Sequence, residues 1–347
     1  METNKCSREL GYDILRIIAC FMVIVNHTIS TTVFLFLNGF SFTAFTGDFI
    51  FNACRMNVVS FIFISGALLL GKEESYKDWL VKRVLRVLLV ILLFSTLYYD
   101  WSTGSFKGYL RLIFENNITN AYWFLYMYLG LMLTLPLLRK MCKSMQNCDY
   151  ILVLVLFLIT QSIYPLLAHY FNLPSFNLTF SYLYSYWIGW YGIFILGYFG
   201  GQLINKYKAK IIHLFPLFLG VWFIGNLIPT IITYREMYYK QSTELFMDNP
   251  FWIWSIIATV SIDCFLVAVL PSKVFVRKAH RYIEYISGLT FGIYLLSDKL
   301  IVVVFDLFKN WTINDCFKIM VLDILIFCIG AAITVCLKKI PLIRRII

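Results

Sequence analysis

The sequence predicts an all-α, polytopic membrane helical bundle of about ten transmembrane helices, with both termini cytoplasmic. Three observations lead there. The chain is 60% hydrophobic and only 14% charged, its mean hydropathy is +0.76, and a soluble domain carries about 25% charged residues. Apolar runs of roughly 20 residues recur along the whole chain, each long enough to cross a bilayer, and unbroken runs rather than period-two alternation select helices over a barrel. Finally, 22 of the 30 Lys and Arg residues fall on alternate connections, all on the side that also holds the N-terminus, which the positive-inside rule assigns to the cytoplasm.

The expected spans are 11–35, 57–71, 79–99, 121–139, 150–168, 181–203, 211–232, 251–271, 283–305 and 318–337. The first reads as a retained span and not a cleaved signal peptide, because Asn26-His27-Thr28 stands where a small-x-small site belongs. The second is short; extending it back toward Phe51 would bury Arg55. The third starts in the basic stretch LVKRVLRVLL, and the fourth opens with AYWFLYMYLG, whose Trp and Tyr suit an interfacial belt. The fifth, sixth, seventh and ninth are largely apolar, and the eighth and tenth each hold one acid, Asp263 and Asp323. No polar stretch is long enough for a separate soluble domain, so residues 1–347 read as a single integral membrane domain. The formal charge of +11 follows from this topology and calls for no nucleic-acid partner. The nine cysteines show no CxxC spacing, and a lone histidine in a span makes no metal site. Cys54 and Cys316 share the outer side, yet nothing in the sequence brings them together.

Ionisable groups inside spans are costly and usually face the bundle interior, so they mark candidate sites. Arg16 and His27 are eleven residues apart, which returns them to within about 20° on one helical face, about 16 Å apart along the axis. Asp13 lies about 40° away on that face, and Cys20 and Val23 lie between. Asp13 and Arg16 read either as an interfacial i, i+3 pair whose ends reach the headgroups or as the foot of a polar stripe leading to His27. Arg83 and Arg86, with Lys82 beside them, read either as positive-inside anchors or as a phosphate clamp, since guanidinium groups bind phosphate through paired hydrogen bonds. Ser65-Gly66-Ala67, in the stretch that begins at Asn57, lets another helix or a thin ligand chain approach closely. Ser65, Gly66, Asn57 and Trp123 are the candidates for a substrate channel.

Five stretches in this order, YDILRIIACFMVIVNHT, FIFISGALLL, the Arg83-x-x-Arg86 pair, YWFLYMYLGLMLTLPLL and ISGLTFGIYLLSDKL, together resemble the bacterial acyltransferase-3 family of integral membrane O-acyltransferases. The resemblance runs from residue 12 to residue 300. It implies a multi-pass protein of the bacterial plasma membrane that moves an acyl group from cytosolic acyl-CoA to a hydroxyl of an envelope glycan or lipid-linked sugar. Acetyl-CoA is the expected donor, and no resident cofactor is implied. His27 matches the histidine regarded as essential in the family, and Arg83 and Arg86 match the pair thought to meet the donor. Many members carry a histidine where this chain has Ser297, and longer members carry a fused hydrolase-like domain that this sequence does not contain.

On this reading His27 is a general base, or a nucleophile that forms an acyl-imidazole. Asp13, Asp263 and Asp323 are the acids that could orient its ring; Asp13 lies about 21 Å away along a straight helix and is better placed as the partner of Arg16. The rival readings are a secondary transporter of a small solute, for which half-to-half repeats and midplane Gly/Pro breaks are the usual marks, and a non-catalytic scaffold.

Overall fold

A computed structural model describes residues 9–31, 41–171, 189–240, 249–311 and 315–347, and these contain helices and no strand. The end of the expected 11–35 span, the start of the 181–203 span, Lys5, Arg8 and the side chain of Cys316 lie outside the described residues. The chain begins with α1 (Leu10–Thr31), α2 (Phe42–Cys54) and α3 (Met56–Leu69). Short α4 (Tyr76–Trp79) runs through a π-helical turn, Leu80–Leu85, into α5 (Arg86–Phe94). Then come α6 (Phe106–Glu115), α7 (Trp123–Ser144), α8 (Asn147–Leu158), α9 (Tyr164–Phe171), α10 (Trp190–His213) and α11 (Phe215–Lys240). The last part holds α12 (Ile253–Cys264), α13 (Val274–Lys278), α14 (His280–Ser287), α15 (Thr290–Leu307), α16 (Asp315–Leu337) and α17 (Pro341–Ile346).

Among the described residues, seven helical segments are long and apolar enough to cross a membrane, and the bent pair α14–α15 makes an eighth if it counts as one span. The other two expected spans are helical where described, as α4–α5 and α10. Leu152, Ile224, Ile231 and Ile324 are exposed on the outside of the bundle, where a soluble protein would place polar groups; lipid is the solvent that suits them.

The second span is longer than its apolar run. It starts at Phe42, capped by Ser41, whose Oγ accepts from the Ala44 N–H at 3.1 Å, and continues through Arg55 to Leu69 as one apolar segment. Asp48, Asn52 and Arg55 interrupt the sequence pattern, yet Asn52 and Arg55 find partners inside. Asn52 Nδ2 donates to the Asp48 carbonyl at 3.0 Å and to Thr230 Oγ1 at 3.3 Å, and the Arg55 guanidinium lies 4.4 Å over the Phe51 ring. Cys54 is a buried free thiol.

Helix α1 is the centre of the bundle: it packs on α2, α3, α14, α15, α16 and the turn after α12. Its polar stripe therefore faces protein and not lipid. Helix α3 packs most extensively on α10. Gly66 and Gly197 make this possible, since a Cβ on Gly66 would stand 1.9 Å from the Phe194 carbonyl oxygen and one on Gly197 would stand 2.5 Å from that of Phe63. Two backbones in mutual contact at small residues are a common helix-packing solution in membranes.

Candidate functional site

One end of the bundle holds a cavity of about 450 Å3, within the usual range for small-molecule sites. A break in the chain shapes it. Helices α14 and α15 meet at a bend of 54° beside the Ser287-Gly288 pair, a common place for a helix to kink, and Ser287, Gly288, Thr290 and Phe291 all face the cavity. The π-helical turn of LVKRVL supplies Lys82 and Arg83, and the first residue of α5 supplies Arg86; such turns recur at functional sites.

Four cations, Arg16, Lys82, Arg83 and Arg86, line this cavity, and among the described residues no Asp or Glu does. The rest of the wall is mainly apolar, with Val58, Phe61, Phe124, Met132 and Tyr294 among its members. Their counter-charges stand behind the wall. Asp13, 1% exposed, accepts from Arg16 Nη1 at 2.9 Å and from Ser287 Oγ at 2.7 Å, so the expected Asp13–Arg16 pair forms and is tied to the kink. Arg83 pairs with Glu74, whose second oxygen accepts from Arg139 at 3.0 Å. The hydrogen bond from Arg83, and then that from Arg139 against the cost of burial, holds the Glu74 carboxyl below its ordinary range. Arg86 Nε donates to the Ile346 carbonyl at 2.8 Å, and its guanidinium lies 5.9 Å over Phe291.

The cavity ends below His27. Val23 lines it, and His27 is one turn further along α1, about 6 Å in rise. His27 is half-buried. Asp298 and Arg55 lie near enough for their charges to bear on its ring. Asp298 accepts a hydrogen bond from Thr119 Oγ1, beside three hydroxyl-bearing rings: Tyr98 and Tyr122 both donate to the Leu295 carbonyl, at 3.0 and 2.9 Å, and Tyr294 donates to the Ala121 carbonyl at 2.5 Å.

The structure thus gathers Arg16, Ser65, Lys82, Arg83 and Arg86 around one space, with Asp13 just behind it. It separates others. Gly66 faces α10 and packs against Phe194, so of the small-residue cluster it is Ser65 that reaches the cavity. Asn57 is buried with Oδ1 accepting from the Val58 N–H. Trp123 packs against Trp190 with the rings tilted by 42°, 5.5 Å between ring centres, and its neighbour Phe124 faces the cavity instead. The three acids expected to serve His27 have other ties: Asp13 holds Arg16 and Ser287, Asp263 accepts from Ser60 at 2.8 Å, and Asp323 accepts at 3.2 Å from Thr28, the residue after His27. Ser297 donates to the Tyr294 carbonyl within its own helix at 2.8 Å.

Sequence reasoning passed over Asp298. The available signal was its place in YLLSDKL, next to Ser297, as an acid within the predicted 283–305 span. Among the described residues no group of three or more His, Cys, Asp and Glu is placed to hold a metal ion.

An apolar bundle that encloses a cation-lined cavity, with an imidazole one turn beyond Val23 on its wall, defines a membrane protein with a cavity of a charge that suits an anion. Residues 9–338 match the acyltransferase 3 family model, described as an acyltransferase domain. The chain belongs to that family and is a membrane acyltransferase. No curated protein and no solved structure matches it.

Proposed function

We propose that this protein is an O-acyltransferase of the bacterial plasma membrane, which takes an acyl group, acetyl in the simplest case, from cytosolic acyl-CoA and places it on a hydroxyl of an envelope glycan or lipid-linked sugar. The whole chain acts as one domain with both termini cytoplasmic, and it needs no resident cofactor. The observation that carries this reading is the cavity whose wall, among the described residues, holds four cations, no Asp or Glu, and a largely apolar remainder that includes Val23, one turn short of His27. Phosphates suit the cations, since charge-assisted hydrogen bonds to guanidinium are strong. The slim, weakly polar pantetheine arm suits the apolar part.

His27 acts as general base. It takes the proton of the acceptor hydroxyl as that oxygen attacks the thioester carbonyl. The new C–O bond forms, the C–S bond breaks, and the leaving CoA thiolate receives the proton from the imidazolium, which restores His27. Arg16, held by Asp13 and Ser287, guides the arm along the face of α1. Asp298 acts on the ring from α15 and positions it. An acyl-imidazole on His27 is the competing route; it would leave label on the protein when acceptor is withheld.

The test uses acyl-CoA labelled in the acyl carbon, given to inverted and to right-side-out vesicles that contain the native envelope acceptors. Label entering the glycan fraction of the inverted vesicles alone is the expected result. Label from neither, over a panel of acyl chain lengths, contradicts it and favours transport of a small solute.

A further inference from the structure

A second cavity, of about 580 Å3, opens at the same basic end. The α3–α4 connection gives it Lys72, Glu73 and Glu74, α4 gives Tyr76 and Trp79, and the last turns of α7 give Arg139, Lys140 and Lys143. One layer of side chains divides it from the first cavity. Glu74 joins them, accepting from Arg83 on the first wall and from Arg139 on the second. Trp79, on the second wall, donates from Nε1 to the carbonyl of Met132, on the first, at 2.7 Å. Arg139 Nε donates to the Leu69 carbonyl at 2.9 Å.

The second cavity is basic and edged with aromatic rings. Of its four cations, Lys143 pairs with Glu73 at 3.0 Å and Arg139 with Glu74 at 3.0 Å. Lys72 and Lys140 have no ion pair among the described residues. The Lys140 ammonium sits 6.0 Å over the Tyr76 ring and donates to its hydroxyl at 3.3 Å, and Tyr76 is 63% exposed. A cationic recess with an open aromatic face binds phosphates and a planar base together.

We infer that this second cavity holds the adenosine 3′-phosphate end of the donor, with the 3′-phosphate on Lys140, Lys143 and Arg139 and the base against Tyr76. The inference rests on the acyl-CoA reading above and deepens it: the first cavity takes the pyrophosphate, the arm and the acyl group, and the second takes the adenosine with its 3′-phosphate. Glu74 stands between as a competitor, because a phosphate at Arg83 or Arg139 meets a carboxylate already bonded there.

The experiment is calorimetric titration of the purified full chain, in discs of zwitterionic lipid, with acyl-CoA and separately with adenosine 3′,5′-bisphosphate. The wild type should bind both, each displacing the other. Lys140→Ala/Lys143→Ala should weaken bisphosphate binding about tenfold or more, through loss of two charge-assisted contacts, and Glu74→Gln should strengthen it. Size-exclusion profiles check that the variants fold. Binding of acyl-CoA with no binding or competition by the bisphosphate would overturn the inference and leave the donor reading standing, as would a double variant that binds like wild type. Binding of neither probe would bring down both. A cavity that ignores the bisphosphate but stabilises the protein when phosphatidylglycerol is added to the discs, with that gain lost in the double variant, would be a lipid-headgroup site and would also overturn it.

Discussion

The two ends of the bundle handle charge in opposite ways. At the basic end, four cations surround open space; Asp13 and Glu74, the counter-ions of Arg16 and Arg83, stand behind the wall, and Lys82 pairs with Asp78 at 2.8 Å. Deeper in, acids appear singly, each on one hydroxyl: Asp298 on Thr119, Asp323 on Thr28, Asp263 on Ser60. An excess of one sign around a cavity concentrates ligands of the other sign. A lone acid in a membrane interior is costly and is kept where the position of one group matters. The first arrangement suits binding and the second suits chemistry, so substitutions at the two ends should separate in their effects on KM and kcat.

The largest effect belongs to His27. His27→Ala should lower the transfer rate by about 10²–10⁴-fold or more, the usual scale for general acid–base catalysis, while donor binding and the elution profile of the purified protein stay as in wild type. Arg83→Ala and Arg86→Ala come next. Each should raise the KM for acyl-CoA by about 10–100-fold, the scale of a charge-assisted hydrogen bond, with a smaller change in kcat, read from initial rates over a donor series. Loss in kcat alone would place these arginines with the chemistry and erase the contrast.

Asp298→Asn should lower kcat about tenfold through a less well held imidazole, with donor KM near wild type; an equal rise in KM would move Asp298 to the binding side. Gly66→Ala sharpens the comparison from outside it, because this glycine serves packing against Phe194. It should destabilise by about 1–3 kcal/mol, as overpacking does, seen as a lower thermal midpoint, with KM unchanged in the folded fraction.

The smallest effect is in pH. The folded-state value of Glu74 is depressed by Arg83 and Arg139, so its contribution to stability is complete above the ordinary glutamate value, about 4.3, and is lost as pH falls through the lowered value. Below about pH 4 the thermal midpoint of the wild type should therefore drop more steeply than that of Glu74→Gln.

The sequence carried the membrane bundle and much of the basic cavity. Apolar runs, alternating basic connections and the helical spacing of Asp13, Arg16 and His27 all report on one helix at a time, and a pattern on one helix survives folding. What it could not carry are relations between helices. Arg55 ended the second span on paper because its compensation, Phe51 and the fold around it, is tertiary. Gly66 was a candidate channel residue until α10 was seen against it. Asp298 gave no periodic signal, and only the packing of α15 near α1 brings it to bear on His27. The bend beside Ser287-Gly288 turns a plain apolar run into a cavity wall.

The most direct test of the separation between binding and chemistry is one titration paired with one assay: acyl-CoA binding by purified His27→Ala, and label transfer by the same preparation in the presence of native acceptor. Donor affinity equal to wild type with transfer abolished is the predicted result. Transfer retained by His27→Ala would contradict the account, because the group proposed to take the acceptor proton would then be dispensable.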